Sequence, residues 1–190
     1  MEFVINDFAK SIDLQSINTR FQLFHIDYSK PIQVTFFTSR RLFTERLIDE
    51  GANPPPWLLA YQDQQGIYAL DPDLWDPETS SGSLEEVIAH EAAHIVLQSM
   101  KTEIPLWIYE GFAMLVAGQI PLDDELGPLL TNPYSLDYES EDLYYTIAQA
   151  MVVLSAQINE FELVRRILEV DDYVNDSLFG FEAMREAVKR

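Results

Sequence analysis

The chain has no cysteine. That removes a disulfide framework, a thiolate metal site and a cysteine nucleophile together, so any bound metal must be held by imidazole and carboxylate. Basic residues are scarce: 12 Lys and Arg stand against 32 Asp and Glu, a formal net charge of −20. A surface with that balance repels phosphate backbones and anionic headgroups, so neither nucleic acid nor a membrane surface is an expected partner. The same excess serves solubility and requires no further role. Histidine is rarer still, with 3 residues in 190. The best apolar run, at 112–116, falls far short of the roughly 20 residues of a membrane-spanning helix. The opening MEFVINDFAKSIDLQ has no basic segment followed by an apolar stretch. No secretory signal is read there, and a cytoplasmic protein is expected.

What is present is enough apolar material for a core. Hydrophobic residues make up 47% of the chain, with 11 Phe, 9 Tyr and 3 Trp, which rules out wholesale disorder. The length suits one domain over 1–190 rather than two. Helical periodicity at 7–17 and 39–49 flanks two β-rich runs, FQLFHI at 21–26 and IQVTFF at 32–37, which are expected to pair. GANPPP at 51–56 stops any helix, because successive prolines remove donors and clash with the preceding turn. Short apolar runs at 57–61 and 66–70 then read as a hairpin, followed by a polar loop over 71–82. From there the pattern is helical, at 83–100, 105–118, 143–158, 161–170 and 178–189. The expected fold is α+β: a sheet-containing part over 1–82, a helix pair over 83–118 and a helical part over 119–190.

Ser83 and Glu86 have capping-box spacing, which starts a helix shortly before His90. Within it, His90-Glu91-Ala92-Ala93-His94 is an H-E-x-x-H motif, whose two histidines at i and i+4 share one helix face and can share one zinc ion. Glu91 lies about 100° around the helix, too far to be a ligand beside them but near enough to reach a water on the metal. Ala92, Ala93, Ile95, Val96 and Leu97 mark the segment as buried, and buried imidazoles need partners. Leu97 and Met100 stand where an extended metzincin motif would carry Gly and a third His, so that pattern is absent. The third ligand is therefore sought elsewhere. Glu110 is the candidate, on a second helix that Pro105 would open and that Gly111 and Ala113 would let approach closely. His25 is its rival, though a lone His in an expected strand is more often a structural residue.

Pro105-Leu106-Trp107-Ile108-Tyr109-Glu110-Gly111-Phe112-Ala113 resembles the P-x-W-x-x-E-G-x-A segment of gluzincin-type zinc metallopeptidases, and the chain is similar to the small "peptidase MA-like" members of that group. The resemblance rests on 83–113 and is looser over the sheet and the C-terminal helices. It implies a zincin-like fold and one zinc ion held by His90, His94 and Glu110. It further implies hydrolysis of a peptide or protein substrate, with Glu91 as general base. A tyrosine from a later helix would stabilise the oxyanion, Tyr145 being the first candidate and Tyr144 the second. An edge strand before the zinc helix would hold an extended peptide, and 66–70 is its expected counterpart. The acidic stretch Asp71, Asp73, Asp76 and Glu78 is read as a solvated loop. The competing reading is a binding or regulatory protein that keeps the scaffold without the activity.

Overall fold

Four strands form one mixed sheet in the order β1 (Glu2–Ile5), β2 (Pro31–Phe37), β4 (Ile67–Leu70), β3 (Ala60–Gln62). The structure, a computed structural model, describes residues 1–5, 12–76, 82–120, 129, 131–140 and 142–188. β1, β2 and β4 run parallel and β3 closes the sheet antiparallel to β4. Parallel neighbours need a crossover, and α1 (Leu14–Leu23) and α2 (Arg40–Asp49) lie in the connections that follow β1 and β2. Alternation along the strands covers both faces of the sheet. Ile32, Val34, Phe36, Ala60, Ile67 and Ala69 enter the main core. Phe37, Tyr61, Tyr68 and Leu70 pack on Phe43 and Leu47 of α2.

Two sequence expectations are corrected here. Residues 21–26 do not form a strand: Phe21 and Leu23 belong to the last turn of α1, and His25 follows it in the left-handed region, at φ 53. Ile17, Phe21 and Phe24 are buried, which is helical spacing, and the apparent alternation of FQLFHI breaks at exposed Leu23. Of the helix expected over 7–17, residues 7–11 lie outside the described residues, and helix begins at Leu14 behind the Asp13 cap. The second correction concerns 66–70. β4 is not an edge strand; it is paired on both sides, to β2 and to β3. Gly66 makes this possible, because a Cβ there would collide with the Gln33 carbonyl of β2. The outer strand on this side is β3.

The helices follow the sequence closely. α3 (Leu84–Met100) opens with the Ser83–Glu86 capping box, both reciprocal hydrogen bonds being formed. α4 (Leu106–Ala117) has Pro105 as its N-cap and ends at Gly118 in the left-handed conformation, at φ 71. Then come α5 (Leu143–Ser155), α6 (Glu160–Glu169) and α7 (Phe181–Val188). α3 buries Ile88, Ala89, Ala92, Ala93, Val96 and Leu97, a stripe of small and branched residues that lets the sheet and α4 approach. At its end, the Lys101 ammonium donates to the carbonyls of Leu168 and Val170, tying it to the end of α6. Among the described residues no helix is long and apolar enough to cross a membrane.

Gly111 packs differently from expectation. Its close neighbour is α5, not α3: a Cβ at 111 would lie 2.6 Å from Cγ and Sδ of Met151 and 3.1 Å from Cγ2 of Ile147. Gly111→Ala gains about 1 kcal/mol of helix propensity but overpacks a filled core, which costs about 1–3 kcal/mol. Net destabilisation of about 1 kcal/mol is expected by denaturant titration, and in a Met151→Ala background the same substitution should become neutral or stabilising. An unchanged midpoint in the otherwise wild-type protein would mean the α4–α5 contact is looser than described.

Candidate metal centre

The i, i+4 spacing on α3 turns both imidazoles the same way, and their Nε2 atoms lie 3.1 Å apart. Glu110, in the second turn of α4, brings its Oε2 to 3.4 Å from His90 Nε2 and 3.7 Å from His94 Nε2. The two helices run antiparallel, since Gln98, His94 and His90 along α3 meet Tyr109, Glu110 and Gln119 in turn along α4 and beyond it. His94 and Glu110 are buried and His90 is half-buried. A tetrahedral ion at about 2.05 Å from its ligands spaces them about 3.3 Å apart. The three measured separations bracket that value, and among the described residues this is the group of His and carboxylate side chains whose donor atoms converge.

Other residues fix the two rings. The Gln119 amide oxygen lies 2.8 Å from His90 Nδ1; the amide oxygen is an acceptor, so Nδ1 carries a proton and Nε2 is the nitrogen left to face the centre. Gln119 is aimed there by the turn at Gly118, in which Gly118 N–H donates to Leu115 and Gln119 N–H to Met114, the Schellman pattern. Arg20 of α1 donates to the carbonyl of Ala117 just before it. The His94 ring stacks on Tyr109 with centroids 4.0 Å apart, and the Tyr109 hydroxyl accepts from Gln62 of β3 at 3.0 Å and from Gln98 at 2.6 Å. His94 Nδ1 is buried without a hydrogen-bond partner among the described residues; the ring is held by the Tyr109 stack and, at Nε2, by His90 and Glu110.

The electrostatics separate the two carboxylates. Burial works to raise the Glu110 pKa, but hydrogen bonds and charge from His90 and His94 overcome it and hold the group far below the usual range. Glu91, partly buried beside the same histidines, goes the other way: burial pushes its pKa up, the histidines pull it down and Glu110 adds to the rise. Burial lowers His90, while its bond to Glu110 and the charges of Glu91 and Glu110 bring it above the ordinary imidazole value. One carboxylate is thus held ionised and the other made more basic, the usual division between a ligand and a proton acceptor.

His90, His94 and Glu110 are brought together and Glu91 stands beside them. His25 does not join: its ring packs on Phe161 of α6, centroids 5.2 Å apart. Both candidate tyrosines are exposed on α5, Tyr144 at 44% and Tyr145 at 51%; desolvation and then the charges of Glu110 and Glu91 push the Tyr144 pKa up to about 12. A tyrosine that sequence reasoning passed over makes the direct contact: the Tyr138 hydroxyl donates to Glu110 Oε1 at 2.7 Å. Nothing in its own loop signals this role; Gln119 was passed over too, its one sequence signal being the helix-ending Gly118 before it.

No family model and no curated protein matches this chain. The donor set itself tests whether a metal fits. Two imidazole Nε2 atoms and a carboxylate oxygen facing one point repel through their lone pairs unless a cation or a proton lies between them, and their spacing suits a tetrahedral ion. The residues present fit a single divalent metal, and two neutral imidazoles with one carboxylate are a ligand set that zinc accepts.

Proposed function

We propose that this chain is a zinc-dependent hydrolase of the peptidase class, with a zincin-like arrangement of sheet and active-site helix. The observation that carries the reading is the convergence of His90, His94 and Glu110 at tetrahedral spacing with Glu91 beside them, outside the ligand set. When bound, a zinc ion held by His90, His94 and Glu110 would supply Lewis acidity and make water more acidic. Glu91, its basicity raised by burial, takes a proton from the attacking water and later delivers it to the leaving amine. Tyr144, a phenol near the two carboxylates, is better placed than Tyr145 to donate to an oxyanion.

The substrate lies along β3. Leu70 N–H donates to the Leu59 carbonyl and Asp63 N–H to the Gly66 carbonyl, so the alternation of an antiparallel pair turns the amides and carbonyls of Ala60 and Gln62 away from β4. An extended peptide can add to that edge by main-chain hydrogen bonds, next to Gln62 and its partner Tyr109. The adjoining cleft, about 470 Å³, is lined by Gln33, Gln62, Gln65, Gln98, Ser99 and Thr102 among others. Its one acidic residue, Asp63, faces Arg46 at 3.6 Å. The acidic excess of the chain is therefore not gathered in this cleft, and neutral polar side chains suit it better than basic ones.

The test is elemental mass spectrometry of untagged protein. About one zinc per chain, removed by chelation with a loss of thermal stability, is the expected result. No zinc after reconstitution of the metal-free protein with excess metal would sink the reading.

A further inference from the structure

Tyr138 combines two properties that seldom occur together. The residue is 64% exposed, yet its hydroxyl reaches inward to bond Oε1 of buried Glu110 at 2.7 Å. The ring reaches the site from the solvent side, over a small cleft it shares with Gln98, Leu106 and Tyr109. Its place is built, not incidental. The Asp137 carboxylate accepts from Glu139 N–H at 3.1 Å and from the Ser140 hydroxyl at 3.0 Å. That turn follows a 3-10 segment, Pro133–Ser135, whose Tyr134 packs edge-on against Trp107 and donates to the carbonyl of Phe179. Trp107 is on α4, as Glu110 is. The loop that presents Tyr138 is thus indexed to the helix that presents the carboxylate.

The two oxygens of Glu110 are consequently unequal. Oε2 faces both imidazoles, at 3.4 and 3.7 Å; Oε1 is engaged by Tyr138. A carboxylate can give a metal one oxygen or two, and the choice decides how many positions are left for water and substrate. We infer that Tyr138 is a positioning residue for the metal centre: its hydroxyl retains Oε1, so that Glu110 offers the ion Oε2 alone and a coordination position stays open. This rests on the proposed metal site and extends it, because it assigns the openness of the site to a residue outside the ligand set. Tyr138 touches neither the ion nor the substrate in this role. It acts through Glu110, as outer partners of metal ligands do.

The experiment is cobalt(II) substitution of wild type and Tyr138→Phe. Cobalt reports coordination number directly, since its visible bands are much stronger in four-coordinate than in five-coordinate sites, and X-ray absorption on the zinc forms counts the oxygen ligands. The Phe ring keeps the exposed packing, and a matched melting curve of the metal-free proteins verifies that the fold is retained. In Tyr138→Phe the visible bands are expected to weaken and one oxygen ligand to be gained as Oε1 swings onto the ion. Identical spectra and ligand counts in the two proteins would overturn the inference while leaving the metal centre standing. Failure of wild type to bind cobalt or zinc would remove the metal centre itself, and the inference with it.

Discussion

Glu91→Gln should leave the metal bound and reduce peptide hydrolysis by about 10²–10⁴-fold, the usual contribution of a general base. The substitution keeps shape and removes only the ability to accept a proton. Glu91 does not belong to the converging donor group formed by His90, His94 and Glu110, so metal affinity should change little. Its carboxylate nonetheless responds to the charges of His90, His94 and Glu110, which places it within electrostatic reach of the candidate metal centre. Burial makes it a stronger base than an exposed glutamate. The check is turnover of a peptide substrate measured alongside zinc content on the same samples. Wild-type turnover in the zinc-loaded variant would mean that another group takes the proton. Loss of zinc would instead place Glu91 in the ligand set, a result its position argues against.

The contrast between what was legible and what was not follows from the range of the interactions. The α3 start and the paired histidines were readable because capping and helical spacing are local: Ser83 meets Glu86, and His90 meets His94, within a turn or so of helix; Glu110, on another helix, was reached through the resemblance of 105–113, not through a local spacing. The 32–37 strand was readable because its alternation, buried at Ile32, Val34 and Phe36, lasts long enough to fix a period. Six residues at 21–26 were not enough, and a helix end with His25 in the left-handed region looked like a strand. β1 was missed for a related reason: a four-residue parallel strand shows little pattern of its own until β2 lies beside it. Strand order is beyond sequence periodicity altogether. That β4 lies inside the sheet and β3 outside depends on pairings across the chain, with the Gly66 contact to Gln33 as the only local trace. Tyr138 and Tyr109 reach the centre through contacts that no spacing rule encodes.

Gln119 is the residue through which that non-local part of the site can be weighed. Gln119→Leu should weaken zinc binding by about 10–100-fold, the range typical of lost outer partners, whereas Glu110→Ala should abolish stoichiometric binding. The argument is one of tautomers. With Gln119 present, a proton on His90 Nδ1 has an acceptor at 2.8 Å, which leaves Nε2, facing Glu110 and His94, as the nitrogen available to a metal. Leucine leaves Nδ1–H without that acceptor in a half-buried ring, at a cost of about 1–3 kcal/mol for an unsatisfied donor. The ring then gains by moving its proton to Nε2, where it blocks the metal, or by turning away. A fold-change of 10–100 corresponds to roughly 1.4–2.7 kcal/mol, which lies within that cost. Competition titration against a chelator of known affinity gives the dissociation constants, and melting of the metal-free proteins separates this effect from general damage around Gly118. An unchanged zinc affinity in a folded Gln119→Leu protein would show that stacking and helix geometry alone orient His90, leaving the amide a bystander at the end of α4.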